Sequence, residues 1–426
     1  DVVDYYNIHE DYGNLADFKA LVKAAHKRNI KVILDLVVNH TSDQHFWFNE
    51  SVKGNDNPYR DFYIWADKDT IISEGETKEI TGDSDNIYLW NEAENNEEKY
   101  FGFFWKGMPD LNFDEPKVRE EIFKIGRYWL NEIGVDGFRL DAAKHIYPDK
   151  RINDSVKWWI AFRNEMEKAK PDVFLVGEVW DEAQVIAPFL KGLHAIFNFD
   201  LCFSLQKTLK SEDKTGFIEN LIHTRNAYKK TQSDFVDATF TTNHDQDRIL
   251  SVLEENTDKG KLAAAILLTL PGAPFIYYGE ELGMLGRKPD EYIREPFLWS
   301  SIDKEGNTDW IEPKYNTLQK INSLDLQKED QASMYHHYKR LIQLRNTYQA
   351  LHLGELKLLP FKSKKILGYY RLLAEEKILV IHNLGSKPKQ IPNKLLRGQN
   401  LFITHGKQIK EHALAPYSTV ILLEKQ

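Results

Sequence analysis

The residues best suited to chemistry stand at the ends of apolar stretches. Arg139 and Asp141 lie in the stretch VDGFRLDAAKH, where charged and apolar residues alternate, so both charges share one face of a short strand. Opposite charges in that position are costly to bury unless they are paired and used. Alone, they indicate a structural ion pair about as well as a catalytic one. Glu178, which ends a second apolar stretch, and His244 and Asp245, which end a third, favour catalysis.

Three carboxylates, those of Asp141, Glu178 and Asp245, are predicted to converge. Cleavage of a glycosidic bond needs a nucleophilic carboxylate, a protonated carboxyl group and a nearby group that controls charge. Arg139 would keep the first carboxylate ionised, and apolar neighbours would raise the pKa of Glu178 toward that of an acid. His40, at the end of an earlier apolar run, and the histidine before the third carboxylate could donate hydrogen bonds to sugar hydroxyls. Each residue alone is more often structural, whereas the ordered combination is specific.

Alternating helices and strands must position these residues. The alternation is typical of a parallel sheet with right-handed crossovers, either doubly wound or closed into a barrel. A barrel is favoured because no glycine-rich dinucleotide motif follows any strand and polar residues gather beyond carboxyl strand ends. The predicted strands are 30–38, 135–141, 173–178, 195–199, 238–243 and 274–279. The predicted helices are 14–29, 115–131, 154–168, 216–229, 259–270 and 331–348.

The predicted fold class is therefore α/β: a (β/α)8 TIM barrel with an inserted irregular subdomain and a C-terminal antiparallel β-sandwich domain. The barrel takes residues 1–40 and 108–350, and the polar insert between them, 41–107, is too long for a bare loop. Short alternating stretches with Gly and Pro turns make 351–426 the β domain. Only six barrel strands are predicted instead of eight. The first two are expected upstream of Asp1, in a longer natural protein.

The composition excludes some classes of protein and some kinds of binding partner. A net charge of -9 without a basic stripe argues against nucleic acid. Hydrophobic residues make up 42% of the chain, the mean hydropathy is -0.53, and no apolar run is long enough to span a membrane. Cys202 is the single cysteine, which excludes an internal disulfide. A monomer is expected. The compartment stays open, with an extracellular or cell-surface location favoured over the cytoplasm.

Six segments, in order along the chain, resemble the diagnostic regions of the α-amylase family of glycoside hydrolases. They are DLVVNH (35–40), MPDLN (108–112), GFRLDAAKH (137–145), GEVW (177–180), TTNHD (241–245) and GAPFIYYGEE (272–281). The resemblance implies that Asp141 is the nucleophile of a retaining mechanism, Glu178 the general acid/base, and Asp245 the third carboxylate, which fixes sugar hydroxyls. It implies substrate contacts for His40, Arg139, Lys144, His145 and His244. Asp35 is expected to be a structural partner within the barrel.

The resemblance also implies a calcium ion between barrel and insert. Its ligands would be Asn39, Asp110 and the backbone carbonyl of His145, and hard oxygen ligands of this kind suit calcium. Three ligands are too few for calcium, so others are expected from the insert. The candidates are Asp67, Asp69, Asp83 and Asp85. In the alternative interpretation, Asn39 and Asp110 only tie loops together.

The preferred linkage depends on small differences within the family. Within the family that these segments resemble, a Lys-His pair after the nucleophile, here Lys144 and His145, implies α-1,4 cleavage of starch, glycogen-like chains or maltooligosaccharides. The MPDLN and YYGEE segments are instead close to enzymes that act on short oligosaccharides. An α-glucosidase, an oligo-1,6-glucosidase and a cyclomaltodextrinase therefore remain alternatives. A non-catalytic sugar-binding relative is a remote one, because all three carboxylates are present.

Overall fold

The computed structural model describes residues 1–77, 87–94, 96–303, 306–404 and 412–424. Asp83 and Asp85, two of the candidate calcium ligands, lie outside the described residues. The chain divides into two compact units. Unit 1 comprises Asp1–Ile196 and Tyr228–Phe235, and unit 2 comprises Phe197–Ala227 and Val236–Gln426. No helix in the described part of the chain combines the length and the apolarity needed to cross a membrane.

Unit 1 contains short strands that alternate with helices. Its strands are β1 (Ile33–Leu36), β2 (Trp65–Ala66), β3 (Trp90–Asn91), β4 (Lys99–Phe101), β5 (Gly137–Leu140), β6 (Phe174–Gly177) and β7 (Ala195–Phe197, whose last residue begins unit 2). Its helices are α1 (Leu15–His26), α2 (Phe46–Ser51), α3 (Lys68–Glu74), α4 (Pro116–Tyr128, continued by a π-helical turn at Trp129–Ile133), α5 (Ile152–Ala169) and α6 (Ala183–Ile186).

Unit 2 continues the alternation and then changes to antiparallel strands. Its helices are α7 (Phe199–Ser211), α8 (Phe217–Thr231, whose last turn belongs to unit 1), α9 (Ile249–Val252), α10 (Thr257–Thr269), α11 (Asp290–Ile293), α12 (Leu324–Glu329), α13 (Met334–Thr347) and α14 (Gln349–Leu353). Its strands are β8 (Val236–Thr239), β9 (Ala273–Pro274), β10 (Glu355–Leu358), β11 (Ile366–Leu373), β12 (Glu376–Asn383), β13 (Lys389–Gln390), β14 (Gln399–Ile403), β15 (Ala413–Leu414) and β16 (Ser418–Leu423).

The parallel sheet of unit 1 places charged residues beside one another. Strands β1, β5, β6 and β7 are parallel neighbours in that order, and Asp35 of β1 lies opposite Arg139 of β5. A Cβ atom on Gly137 would lie 1.9 Å from the Phe174 carbonyl oxygen, so only glycine fits between β5 and β6 here. The sequence correctly predicts the place of each strand. The strands are shorter than predicted, and β1 in particular ends at Leu36 because residues 37–40 leave the sheet and His40 bridges Asp110.

The insert of unit 1 has an aromatic core of its own. Strands β2, β4 and β3 form a small antiparallel sheet in that order. The ring of Phe48 packs on those of Tyr63 and Tyr100, with centroids 5.1 and 4.9 Å apart. The guanidinium carbon of the buried Arg60 lies 3.4 Å from the centroid of the Trp65 ring. Aromatic packing of this kind stabilises a segment that has little regular secondary structure.

The C-terminal part of unit 2 is a five-stranded antiparallel sheet in the order β10-β11-β12-β16-β14, with β13 and β15 paired beside it. Two buried arginines join this sheet and α13 to the end of helix α10. Arg345 donates to the carbonyl oxygens of Leu268 and Leu270, and Arg371 donates to that of Thr269. These cations satisfy carbonyl groups that a helix end leaves without partners.

Helix α7 is absent from the sequence prediction, which placed a strand at 195–199 and no element between it and the helix at 216–229. The side chain of Asn198 caps the helix by accepting a hydrogen bond from the Leu201 amide. Leu201, Leu205 and Leu209 then recur at a spacing of four and are all buried. The signal was therefore present, and the prediction was wrong because the preceding apolar run was extended into the cap.

Asp136, just before β5, is buried. Its hydrogen bonds join the amino-terminal ends of β1 and β5. Its carboxylate accepts hydrogen bonds from the Val32 amide at 2.8 Å, from His26 at 2.7 Å and from Lys31 at 3.1 Å. Burial opposes ionisation, but these hydrogen bonds outweigh it and lower the pKa of Asp136 to about 2. Asp136 therefore contributes to the stability of unit 1 whenever it is ionised.

We expect Asp136→Asn to lower the free energy of unfolding by about 2–4 kcal/mol at pH 7, because a buried charge-assisted network is broken. The folded pKa lies below the unfolded value of about 3.9, so this stabilisation is present above about pH 4 and is lost as the pH falls toward 2. Thermal unfolding at pH 7 and pH 3 measures it. Asp172→Asn, at the exposed partner of Lys31, is the matched control. Equal midpoints for Asp136→Asn and wild type at pH 7 would contradict the assignment.

Candidate active site

Arg139 is the centre of the charged cluster in unit 1. Its guanidinium contacts the carboxylates of Asp141 and Glu178, and lies 3.1 Å from that of Asp35. Only 13% of its side chain is exposed. Burial lowers the pKa of Arg139, but the three carboxylates raise it by more, so its pKa lies above the usual value and the side chain stays charged. One cation therefore compensates the negative charge of several strand ends.

The surroundings of Glu178 differ from the prediction. The sequence predicted apolar neighbours, and Val179 is indeed fully buried. The carboxylate itself, however, binds Arg139 and accepts a hydrogen bond from the indole nitrogen of Trp180 at 2.9 Å. The environment is polar because both partners project from the same edge of the sheet. The Glu178 amide also donates to the Leu140 carbonyl oxygen, which joins the end of β6 to that of β5.

Asp141 stands at a sharp turn. The next residue, Ala142, has φ 46° and ψ 37°, a left-handed conformation that an alanine adopts only at some energetic cost. The Ala143 amide then donates to the Glu178 carbonyl oxygen at 2.9 Å. The carboxylate is partly exposed, so a ligand can reach it. Strained residues of this kind concentrate at functional sites.

His40 is buried beside this cluster. Its Nδ1 atom lies 2.9 Å from Asn39 Oδ1, and its ring packs edge-on against Phe104. Burial lowers the pKa of His40 to about 4, although the Asp141 carboxylate opposes the shift. The imidazole is therefore neutral near pH 7, and it can exchange hydrogen bonds with a hydroxyl group without carrying a charge.

Lys144 and His145, predicted to contact substrate, have other partners. Lys144 Nζ lies 3.0 Å from Asp181 and 3.2 Å from Asp149, and these carboxylates raise its pKa against the effect of burial. The His145 ring stacks on Phe103 with centroids 4.1 Å apart. The contacts of Lys144 join the loops after β5 and β6, and the His145 ring joins the loop after β5 to the insert. Their contact with substrate stays a prediction.

The three implied calcium ligands meet in unit 1. Asn39 Nδ2 lies 3.2 Å from Asp110 Oδ2 and also contacts the His145 carbonyl oxygen. Among the described residues, no group of three or more His, Cys, Asp or Glu side chains could hold a metal ion. Asp67, a suggested additional ligand, caps α3 by accepting from the Thr70 amide. The site thus offers one carboxylate and one carbonyl oxygen, while Asn39 turns its amide nitrogen toward them and its oxygen toward His40.

A second charged cluster lies in unit 2, beyond the end of β8. Asp245 Oδ1 accepts from Arg294 at 2.8 Å, and Asp245 Oδ2 lies 3.1 Å from His244 Nε2. Arg294 also donates to the His244 carbonyl oxygen at 2.9 Å and to Asp290 at 3.0 Å. The Asp245 side chain is 38% exposed, so it is accessible to a ligand. Arg294 fixes both the main chain and the carboxylate.

The sequence interpretation missed Arg294, Asp290 and Trp180 as members of these clusters. Asp290 and Arg294 are four residues apart around helix α11, a spacing that brings two side chains together on one helix face. Trp180 was within a recognised motif but had no assigned role. The structure brings Arg139, Asp141 and Glu178 together in unit 1, and His244 with Asp245 in unit 2. Convergence of all three carboxylates stays a prediction.

Each comparison with known proteins finds similarity over most of this chain. A family model described as the catalytic domain of alpha amylase matches residues 1–354. Alpha-amylase 3 of Dictyoglomus thermophilum is 45% identical over 426 residues, covering 99% of this chain and 82% of that protein. The 4-alpha-glucanotransferase of Thermotoga neapolitana is 37% identical over 394 residues, covering 91% of this chain and 84% of that protein.

A solved structure is similar along the whole chain. The crystal structure of the alpha-amylase from H.orenii gives a TM-score of 0.90 at 38% sequence identity, covering 100% of this chain and 86% of that one. The predicted fold class is confirmed: parallel strands alternating with helices as in a (β/α) barrel, followed by an antiparallel β domain. The chain belongs to the α-amylase family of glycoside hydrolases.

Proposed function

We propose that the protein hydrolyses α-1,4-glucosidic bonds in starch, glycogen-like chains and maltooligosaccharides, and that it retains the anomeric configuration. The contact of one guanidinium, that of Arg139, with both Asp141 and Glu178 carries this proposal. A single guanidinium can contact both carboxyl groups only if they are close neighbours. Retaining glycosidases hold their two carboxyl groups closer together, at about 5–5.5 Å, than inverting ones do, at about 6.5–9.5 Å, so the shared contact supports the retaining class.

In this mechanism the Asp141 carboxylate attacks the anomeric carbon while Glu178 gives a proton to the departing glycosidic oxygen. A β-glycosyl ester on Asp141 results, and the shortened sugar chain leaves with its new hydroxyl group. Glu178, now a carboxylate, removes a proton from water, which attacks the same carbon and breaks the ester. The product keeps the α configuration, and both residues return to their starting states.

The remaining residues hold the sugar during these steps. Arg139 compensates negative charge on the two reacting carboxyl groups, and the neutral His40 binds a sugar hydroxyl. Asp245, oriented by Arg294, binds further hydroxyls, and such contacts contribute when they strengthen in the transition state. The similarity to an alpha-amylase supports hydrolysis. The similarity to a 4-alpha-glucanotransferase supports a second candidate, transfer of the glycosyl group to a sugar acceptor in place of water.

We expect rapid loss of iodine staining from soluble starch, a series of maltooligosaccharide products, and little glucose from isomaltose. Chromatography of products from each substrate measures this. Glucose from isomaltose with intact starch would contradict the proposal and favour an oligo-1,6-glucosidase. A strong preference for cyclomaltodextrins would favour a cyclomaltodextrinase, and products longer than the starting maltooligosaccharide would show that transfer dominates.

Asp141→Asn and Glu178→Gln should each lower kcat by about 10³-fold or more, because each removes a group that takes part in bond making or proton transfer. Their thermal midpoints should stay close to that of the wild type. Asp35→Asn is the matched control, since Asp35 also binds Arg139 but has no reactive role, and its loss should be far smaller. Near-normal turnover in either of the first two variants would remove that residue from its role.

We also propose that calcium binds between the barrel and the insert, held by the Asn39 side chain, the Asp110 carboxylate and the His145 carbonyl oxygen. The Asp110 carboxylate and the His145 carbonyl present the oxygen ligands that suit calcium, and Asn39 would bind with its side-chain oxygen in place of the nitrogen that now contacts both. The ion would supply structural cross-linking, with Asp110 as the one charged ligand among the three. The alternative, in which these residues tie the loops by hydrogen bonds alone, uses the same contacts.

Chelation should therefore lower the thermal midpoint, and added calcium should restore it, because a ligand of the folded state stabilises that state. Differential scanning calorimetry with a chelator, then with excess calcium, measures the shift. Asp110→Asn should abolish the response to calcium, while Asp67→Asn should keep it, since Asp67 caps a helix. A melting curve that the chelator leaves unchanged would favour the hydrogen-bonded alternative.

A further inference from the structure

We propose that Glu280 is a positioning residue, whose buried carboxylate fixes the segment that carries His244 and Asp245. This inference deepens the proposed function and rests on it, because it assumes that Asp245 contacts the sugar. Glu280 lies in the GAPFIYYGEE segment, to which neither the sequence nor the mechanism above gives a role.

The Glu280 carboxylate holds two consecutive residues. Its Oε1 atom accepts hydrogen bonds from the Thr241 hydroxyl at 2.5 Å and from the Thr242 hydroxyl at 2.9 Å. Glu280 is only 3% exposed, and both threonines are buried as well. Because Thr241 and Thr242 directly precede Asn243, His244 and Asp245, their fixed side chains set the path of the main chain into the second charged cluster.

This contact accounts for the early end of strand β8. Consecutive side chains of a strand lie on opposite faces, so one oxygen atom cannot accept from both hydroxyls while the chain remains extended. The sequence predicted a strand over 238–243, but β8 ends at Thr239. The two hydroxyls reach the same oxygen because the chain has already left the sheet. Glu280 thus selects a bent conformation for Thr241 and Thr242.

The other end of the same segment is fixed by the neighbours of Glu280. Arg248 is fully buried and donates to the Tyr278 carbonyl oxygen at 2.6 Å. Its guanidinium carbon lies 4.4 and 4.7 Å from the ring centroids of Tyr277 and Tyr278. Residues 241–248 are therefore anchored at both ends on residues 277–280. Between these anchors, Arg294 binds the Asp245 carboxylate.

A carboxyl group in this position is costly, which argues for a specific task. Burial raises the pKa of Glu280 to about 7, against the opposing effect of the threonine hydroxyls and Arg248. The other titratable groups that act on it are Glu281 and the Tyr338 hydroxyl, which lies 3.4 Å away. Burial, together with the nearby Glu280 charge, raises the pKa of the Cys202 thiol on helix α7. An apolar residue would fill the space at lower cost but would release both threonines.

The test compares kcat and KM on a maltooligosaccharide with the thermal midpoint for Glu280→Met, which removes the acceptor oxygen at similar side-chain length, and for the double variant Thr241→Val, Thr242→Val. We expect each to lower kcat roughly 10- to 100-fold while KM changes by less than about threefold, because transition-state contacts are lost. Combining all three substitutions should lower kcat no further than Glu280→Met does, since residues that act as a unit are not additive. The inference is overturned if the loss of kcat in the triple variant equals the product of the two separate losses. It is also overturned if the separate variants keep a kcat within about twofold of the wild type.

Asp237→Asn is the matched control for a purely structural effect. Asp237 is a buried carboxylate on strand β8 itself, bound to Asn198 and Arg225 at 2.9 Å each. We expect a lower thermal midpoint with unchanged kcat at a temperature where every variant is folded. If Asp237→Asn lowers kcat as much as Glu280→Met, destabilisation explains the effect and the inference fails. Should Glu280→Met not fold, the isosteric threonine variant decides.

The variant Asp245→Asn distinguishes a failure of the inference from a failure of the proposed function. If Asp245→Asn is inactive and Glu280→Met is fully active, the inference alone fails. If Asp245→Asn is itself fully active, the assigned role of Asp245 fails, and the positioning role falls with it. Loss of kcat in both variants, with folding retained, supports both.

Discussion

The charged cluster of unit 1 depends on one buried guanidinium. Without Arg139, the carboxylates of Asp141 and Glu178 would repel each other in a partly buried site, at a cost that rises as water is excluded. With it, three carboxylates are held at the ends of neighbouring parallel strands. The β1–β5–β6 register makes this possible, because it sets Asp35 opposite Arg139 and brings Glu178 beside Leu140. The chemistry of the site therefore follows from a strand register.

Unit 2 uses the same physical rule with different residues. Asp245 is held by a cation, Arg294, and the segment behind it is held by a carboxylate, Glu280. In both units the chain bends just after the strand, at Ala142 and at Thr241–Thr242 respectively. Bends of this kind cost conformational energy, and buried hydrogen bonds offset that cost. Asp141 and Asp245 thereby stand on short segments that hydrogen bonds hold in place, which favours precise geometry.

Regular elements were predictable where local periodicity was strong. The helix over 14–29 was predicted and is present as α1, with Asn14 as its cap. Helix α7 was not predicted, although its cap at Asn198 was visible. The ends of strands were less predictable, because a residue's place in a ladder depends on its partner strand. The expected apolar surroundings of Glu178 were wrong for a related reason: its immediate neighbours in sequence are apolar, but its spatial neighbours are Arg139 and Trp180.

The sequence by itself determined the family, the alternation of helices and strands, and the set of acidic, basic and imidazole groups placed at strand ends. Periodicity and motif order carry that information, since they concern residues close along the chain. Only the tertiary structure determined which of these side chains contact one another. Arg139 meets Glu178 across 39 residues, Arg294 meets Asp245 across 49, and Glu280 meets Thr241 across 39. Ion pairs and hydrogen bonds require contact distances of a few ångströms, and for residues so far apart in sequence only the packing of the folded chain sets those distances.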